Sequence, residues 1–247
     1  MATSARLPNP APGAKPLSVA GISPDPETLW QRLKAASPDL WAGYLANEFV
    51  WALAEGTLPE KTFRHYIVQD YLYCLHYSRV LAFGAFKGES AADMQKTARK
   101  VLGVLDVELA LHRELLDEWG IPMSRLDEVP EAMESIAYTR YLFDICLKGD
   151  ALEYHTALAP CVLGYAEVGT MLAASPRTRH AGNPYALWIE NYTSDEFAGV
   201  VDAASEHLES LARERLTEER FPRLVEIFAQ TLRLDIAFWN MAQRGEA

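Results

Sequence analysis

The chain has 247 residues, 49% hydrophobic and 23% charged, which suits one large buried core and leaves little length for a second domain. Its net charge of -11 and pI near 5.0 argue against non-specific nucleic-acid binding, which needs Lys and Arg to neutralise phosphates, and against an anionic membrane surface. Cys74, Cys146 and Cys161 are few, odd in number and without CxxC spacing, which argues against a disulfide framework or a cysteine zinc site and points to a reducing, cytoplasmic setting.

No apolar run reads as long enough to span a membrane, and the N-terminus lacks the apolar core of a secretory signal. Residues 1–26, rich in Pro, Ala, Gly and Ser, read as a flexible or loosely docked tail; residues 27–247 read as one helical domain. A helix is expected from Pro26-Glu27 with Asp25 as its cap, and carries Leu29, Trp30 and Leu33. Ser37-Pro38-Asp39 is a second start signal. Trp41, Leu45, Phe49 and Leu53, at steps of four, predict one helix running to Gly56.

Leu58-Pro59 then opens the stretch around which the chain is organised, FRHYIVQDYLYCLHYSR over residues 63–79. It holds no Gly or Pro, and its apolar residues go nearly all the way round, so the helix is expected to be central and buried. Asp70 stands in its middle on one stripe with Tyr66, Tyr73 and Tyr77. A buried carboxylate needs a partner. Two readings stay open here: a structural partner among Tyr hydroxyls or an Arg of a neighbouring helix, or a ligand that offers N–H groups.

Ser90 caps a long helix over residues 91–119, ended by Gly120. A further helix is expected over residues 131–147, closed by Gly149. Asp150 caps the next, which ends before Ser175-Pro176. Pro184-Tyr185 opens a short helix to Tyr192. Residues 193–195 cap another to about Glu214, and Thr217 caps the last, over residues 218–243. No period-two strand is visible, so the fold class is all-α, one domain of roughly eight to ten helices.

Cys161 is the sharpest chemical candidate. Pro160 before it breaks a helical pattern, Tyr165 shares its face, and Gly164 and Gly169 allow close approach by another helix or a ligand. Its two readings are an inert packed thiol and an activated nucleophile. Cys74 and Cys146 read as packing residues. Asp235, in the apolar run LDIAFWNMA, is a second buried carboxylate whose structural partner would be an Arg or Tyr. Tyr192 reads as an aromatic anchor. Glu108 and His112 read as an ordinary intrahelical pair, because the Glu-x-x-His repeat of di-iron bundles is absent. Phosphate-cradling GxGxxG and GxxxxGK[ST] loops are also absent, as is GxSxG.

The segments EGTLPEKTFRHYIVQDYLYCLHYSR, AYTRYL, LAPCVLGYAEVG, WIENYTSDEF and LRLDIAFWNMA together resemble the TenA/THI-4 family, the thiaminase II enzymes. The resemblance implies a heme-oxygenase-like all-helical bundle without heme, no cofactor or metal, and a homotetramer. It implies an aminopyrimidine aminohydrolase of the cysteine type, taking 4-amino-5-aminomethyl-2-methylpyrimidine to its hydroxymethyl counterpart in thiamin salvage, or cleaving thiamin. By the same resemblance Asp70 binds the pyrimidine, Cys161 is the nucleophile, and Tyr73, Tyr138, Tyr165 and Tyr192 line the pocket. The family's usual glutamate falls at Asp235, one methylene shorter. The rival readings are a heme-oxygenase-like di-iron oxidase and a non-catalytic pyrimidine-binding or regulatory relative; the acidic charge and the lack of a basic recognition helix speak against DNA contact.

Overall fold

A computed structural model of the chain describes residues 19–126 and 128–244. They form thirteen α-helical segments with two π turns, and no strand is present among the described residues. The segment count exceeds the eight to ten helices expected because two long helices are divided by π turns and because short helices appear where side chains cap the backbone.

α1 (Leu29–Ala36) starts later than Asp25 would place it. The Asp25 carboxylate accepts the Glu27 N–H within a turn instead, and the first N–H groups of α1 go to Glu209, at 3.0 Å from Leu29 and 3.2 Å from Trp30. A carboxylate there satisfies orphan donors and complements the helix dipole. The single helix expected up to Gly56 is two, α2 (Pro38–Leu45) and α3 (Glu48–Glu55). Asn47 separates them: its side chain accepts the Phe49 N–H at 2.9 Å and donates to Asn240 at 3.1 Å. That local bond competes with helix continuation, which is why Asn favours caps.

α4 (Glu60–Phe86) is the central helix the sequence predicts, and buries Tyr66, Ile67, Asp70, Tyr73 and Cys74 along one length. α5 (Ala91–Gly103), capped by Ser90, runs through a π turn (Val104–Glu108) into α6 (Leu109–Glu118). After the short α7 (Met123–Leu126) comes α8 (Met133–Lys148). The buried Gln69 ties these together, donating to the Pro130 carbonyl at 3.1 Å and accepting from the Ala132 N–H at 2.9 Å.

α9 (Ala151–Ala159) begins in a capping box of Asp150 and Glu153 and leads through a second π turn (Pro160–Gly164) into α10 (Tyr165–Ala173). The run Ala151–Ala173 is long and apolar enough, with mean hydropathy 1.3, to meet a length-and-composition test for a membrane span, contrary to the sequence reading; 67% of that apolar window is buried inside the fold, so its apolarity serves the core. α11 (Ala186–Tyr192), α12 (Asp195–Arg215, capped by Ser194) and α13 (Phe221–Arg244) complete the chain. α13 starts after its expected Thr217 cap and packs against α2, α3, α4, α8 and α9. Most of the expected tail, residues 1–18, lies outside the described residues; Val19 is buried.

Candidate active site

Side chains of α4, α8, α10, α11, α13 and the second π turn meet inside the bundle, and several of them are polar. The π turn adds one residue to the helical repeat, a feature frequent at functional sites, and Cys161 sits in it. Cys161 Sγ lies 3.0 Å from the Tyr73 hydroxyl and 3.0 Å from the Tyr138 hydroxyl. Tyr73 is on α4, three residues after Asp70, so one helix presents both the acid and a contact to the thiol. The two rings pack with centroids 5.0 Å apart.

At rest the thiol is protonated. Burial pushes it up to about 12, the Asp235 charge adds to this, and the bonds to Tyr138 and Tyr73 offset only part. Cys74 and Cys146 are buried as expected of packing residues.

Asp235 on α13 is 2% exposed. The Tyr165 hydroxyl donates to its Oδ1 at 3.4 Å, while Oδ2 has no partner among the described residues. Burial raises the carboxyl to about 8, with Tyr165, Tyr44 and Tyr138 pulling the other way. At neutral pH it holds its proton and is an acid. Of the two partners expected for it, Tyr rather than Arg is found. Tyr44, on α2, is a site neighbour the sequence did not single out; nothing local to its helix marks it.

Two glycines make these approaches possible. A Cβ on Gly164 would stand 2.9 Å from the Tyr44 hydroxyl, and one on Gly169 would stand 2.9 Å from Tyr192 Cβ. Tyr192 in turn packs on Tyr165 at 5.1 Å and on Trp188 at 4.5 Å. Tyr73, Tyr138, Tyr165 and Tyr192 are thus brought together around one interior, with Phe238 and Trp239 of α13 among them.

Asp70 has a different partner from either Tyr or Arg. His112 Nε2 lies 2.9 Å from Asp70 Oδ2, and His112 Nδ1 donates to the Glu108 backbone carbonyl at 2.7 Å. This corrects the reading of Glu108 and His112 as a side-chain pair. Burial alone would lower the imidazole, but the bond to Asp70 and the charges of Asp70 and Glu108 raise it to about 9. The Glu108 carboxyl is raised by burial, then by the Asp70 charge. The contact spans 42 residues, so no local pattern in the sequence marks it.

A di-iron centre would need several His and carboxylates turned into one cavity. Among the described residues one group of three meets a ligand-distance test, Asp70, Cys74 and His112, with donor atoms within 4.8 Å of one another. Its His and Asp already satisfy each other directly.

Residues 35–245 match the TENA/THI-4/PQQC family. An uncharacterised protein of Haemophilus influenzae is 40% identical over 85% of this chain and 96% of its own. An aminopyrimidine aminohydrolase of Halalkalibacterium halodurans is 33% identical, over 84% of this chain and 91% of its own. The structure of a TenA family transcription regulator from Silicibacter superposes with a TM-score of 0.81 at 31% identity, covering 87% of this chain and 96% of that one. By its sequence from residue 35 to residue 245, and by a heme-oxygenase-like arrangement of helices, this chain belongs to the TENA/THI-4/PQQC family.

Proposed function

We propose that this protein is an aminopyrimidine aminohydrolase of the thiaminase II kind, acting in the cytoplasm on 4-amino-5-aminomethyl-2-methylpyrimidine, with thiamin as a second substrate. The observation that carries the reading is the linkage of Cys161 to Asp235 through Tyr138, with Asp70 one helical turn before Tyr73, the second phenol on the sulfur, and the Asp70 charge felt at Asp235. An aminopyrimidine is flat, so tyrosine rings suit its faces, and it carries a polar edge that a carboxylate can grip.

In this reading Asp70 accepts hydrogens from the amine and the protonated ring nitrogen. Protonation leaves the ring short of electrons, and Cys161 adds to a ring carbon. As the C–N bond at the methylene breaks, the departing amine takes the Asp235 proton and the thiol proton replaces it through the Tyr138 hydroxyl, which faces both Sγ and Asp235. Water adds to the exocyclic carbon, its proton going to Asp235 while Asp235 returns one through Tyr138 to the sulfur, and expulsion of the sulfur as the thiol restores the aromatic ring. The net change exchanges an amine for a hydroxyl, by covalent and general-acid catalysis.

Ammonia release and the hydroxymethyl product, followed for wild type and Cys161→Ser, test the mechanism. The variant is expected to lose at least about 10³-fold in kcat. Equal rates would remove the cysteine from it. A homotetramer is part of the proposal; α5 buries no side chain fully, Met94 and Leu102 on it and Phe86 at the end of α4 are exposed, and light scattering reads the assembly.

A further inference from the structure

His112 is built into the site but has no part in the mechanism above. Its Nδ1–H goes to a carbonyl, which can only accept, so Nδ1 keeps its proton in every state of the ring. Only Nε2 is left to answer Asp70, and it is aimed at Oδ2 at 2.9 Å with both side chains buried. Oδ2 is thereby held, and Oδ1 is the acceptor left for a ligand.

We propose that His112 is a positioning residue that holds Asp70 in one rotamer by its bond to Oδ2, leaving Oδ1 as an acceptor, so that the site selects a 4-aminopyrimidine over its 4-oxo counterpart. The inference rests on the aminopyrimidine reading of the site. A 4-aminopyrimidine presents N–H groups along this edge. A 4-oxo ring keeps a ring N–H but at position 4 presents a carbonyl lone pair in place of an N–H, and a carboxylate oxygen repels it. The choice between the two rings therefore follows the acceptor atom that Asp70 is held to present.

The groups around the pair leave that task to His112. Tyr66 and Cys74 share α4 with Asp70, Glu108 lies at the π turn, Tyr192 comes from α11 and Asp235 from α13. None of them carries a positive charge. Without His112, Asp70 Oδ2 would lose the side-chain partner that fixes its rotamer. Among the described residues His112 is the ion-pair partner of Asp70.

The test compares 5-hydroxymethyl-2-methylpyrimidines bearing a 4-amino or a 4-oxo group, by calorimetry, on wild type and His112→Gln. The variant is expected to lose about 10- to 100-fold of the preference for the amino ring, and to raise KM for the aminomethylpyrimidine more than it lowers kcat. An unchanged preference would overturn the proposal. Because the variant removes a buried charge and could misfold, a second measurement uses wild type. Nitrogen-15 spectra of histidine-labelled protein should show both His112 ring nitrogens protonated between about pH 6 and pH 8. A bare Nε2 there would overturn it, as would one tightly held transition metal lost on Cys74→Ser. Turnover of the aminomethylpyrimidine by wild type separates the two levels: if wild type is inert the functional reading falls, and if it is active while the preference is unmoved only the role of His112 falls.

Discussion

Asp235→Asn should make the protein more stable, and increasingly so as the pH rises. The folded protein holds the Asp235 proton up to about 8, against an ordinary value of 3.8. Between those values the unfolded chain has released the proton and the folded chain has not. The stability associated with this group is therefore fully present below 3.8 and is lost as the pH rises toward 8. The loss is about 1.4 kcal/mol per pH unit, an upper total of roughly 5–6 kcal/mol across the window. Asparagine has the shape of the neutral carboxyl and nothing to ionise. Urea unfolding of both proteins at several pH values reads the difference directly. The slope of that difference against pH is the informative quantity, because any fixed offset from repacking against Tyr165 cancels. A difference that stays flat between pH 5 and 8, to within about 0.3 kcal/mol per unit, would refute the buried, protonated acid.

The same group sets an alkaline limb on activity: kcat/KM should fall above about pH 8 as Asp235 loses its proton, and a profile level to pH 9.5 would exclude it as the acid. Gly164→Ala places a methyl 2.9 Å from the Tyr44 hydroxyl and should cost about 1–3 kcal/mol of stability by overpacking, less up to about 1 kcal/mol of helix propensity; a stabilised variant would show that Tyr44 yields freely. Tyr73→Phe removes one hydroxyl 3.0 Å from the Cys161 sulfur and should lower kcat about tenfold with KM little changed, since the ring remains; stopped-flow turnover checks it, and a rate equal to wild type would leave Tyr73 only a wall.

The sequence made the chemical endpoints visible and left their connections hidden. Asp70 and Asp235 stood out because an acid in an apolar helical run is anomalous, and Cys161 because a proline preceded it. The helix ends followed local chemistry where one residue decides the matter, as at Ser90, Asp150 and Ser194. They did not where a distant group decides it: Glu209 reaches α1 from 180 residues away, and no reading of residues 25–29 contains that contact. Asn47 was the reverse case, a legible cap overridden by a strong step-of-four pattern on both sides. His112 was seen but given to Glu108, four residues before it, because spacing names neighbours on one helix and is blind to the helix opposite. The raised pKa of Cys161 is of the same kind, a property of everything that surrounds the sulfur.

The second π turn separates two things that an uninterrupted helix would bind together. One residue of helix subtends about 100°, so deleting Val162 would remove the extra residue of the turn, leave only the kink at Pro160, and swing α9 and α10 relative to each other by about that angle. Cys161 stays with α9, and Tyr165, beyond the deletion, would swing with α10 away from the place it now holds beside Asp235. Reactivity at this position is thus hostage to a single codon that the secondary structure itself does not need.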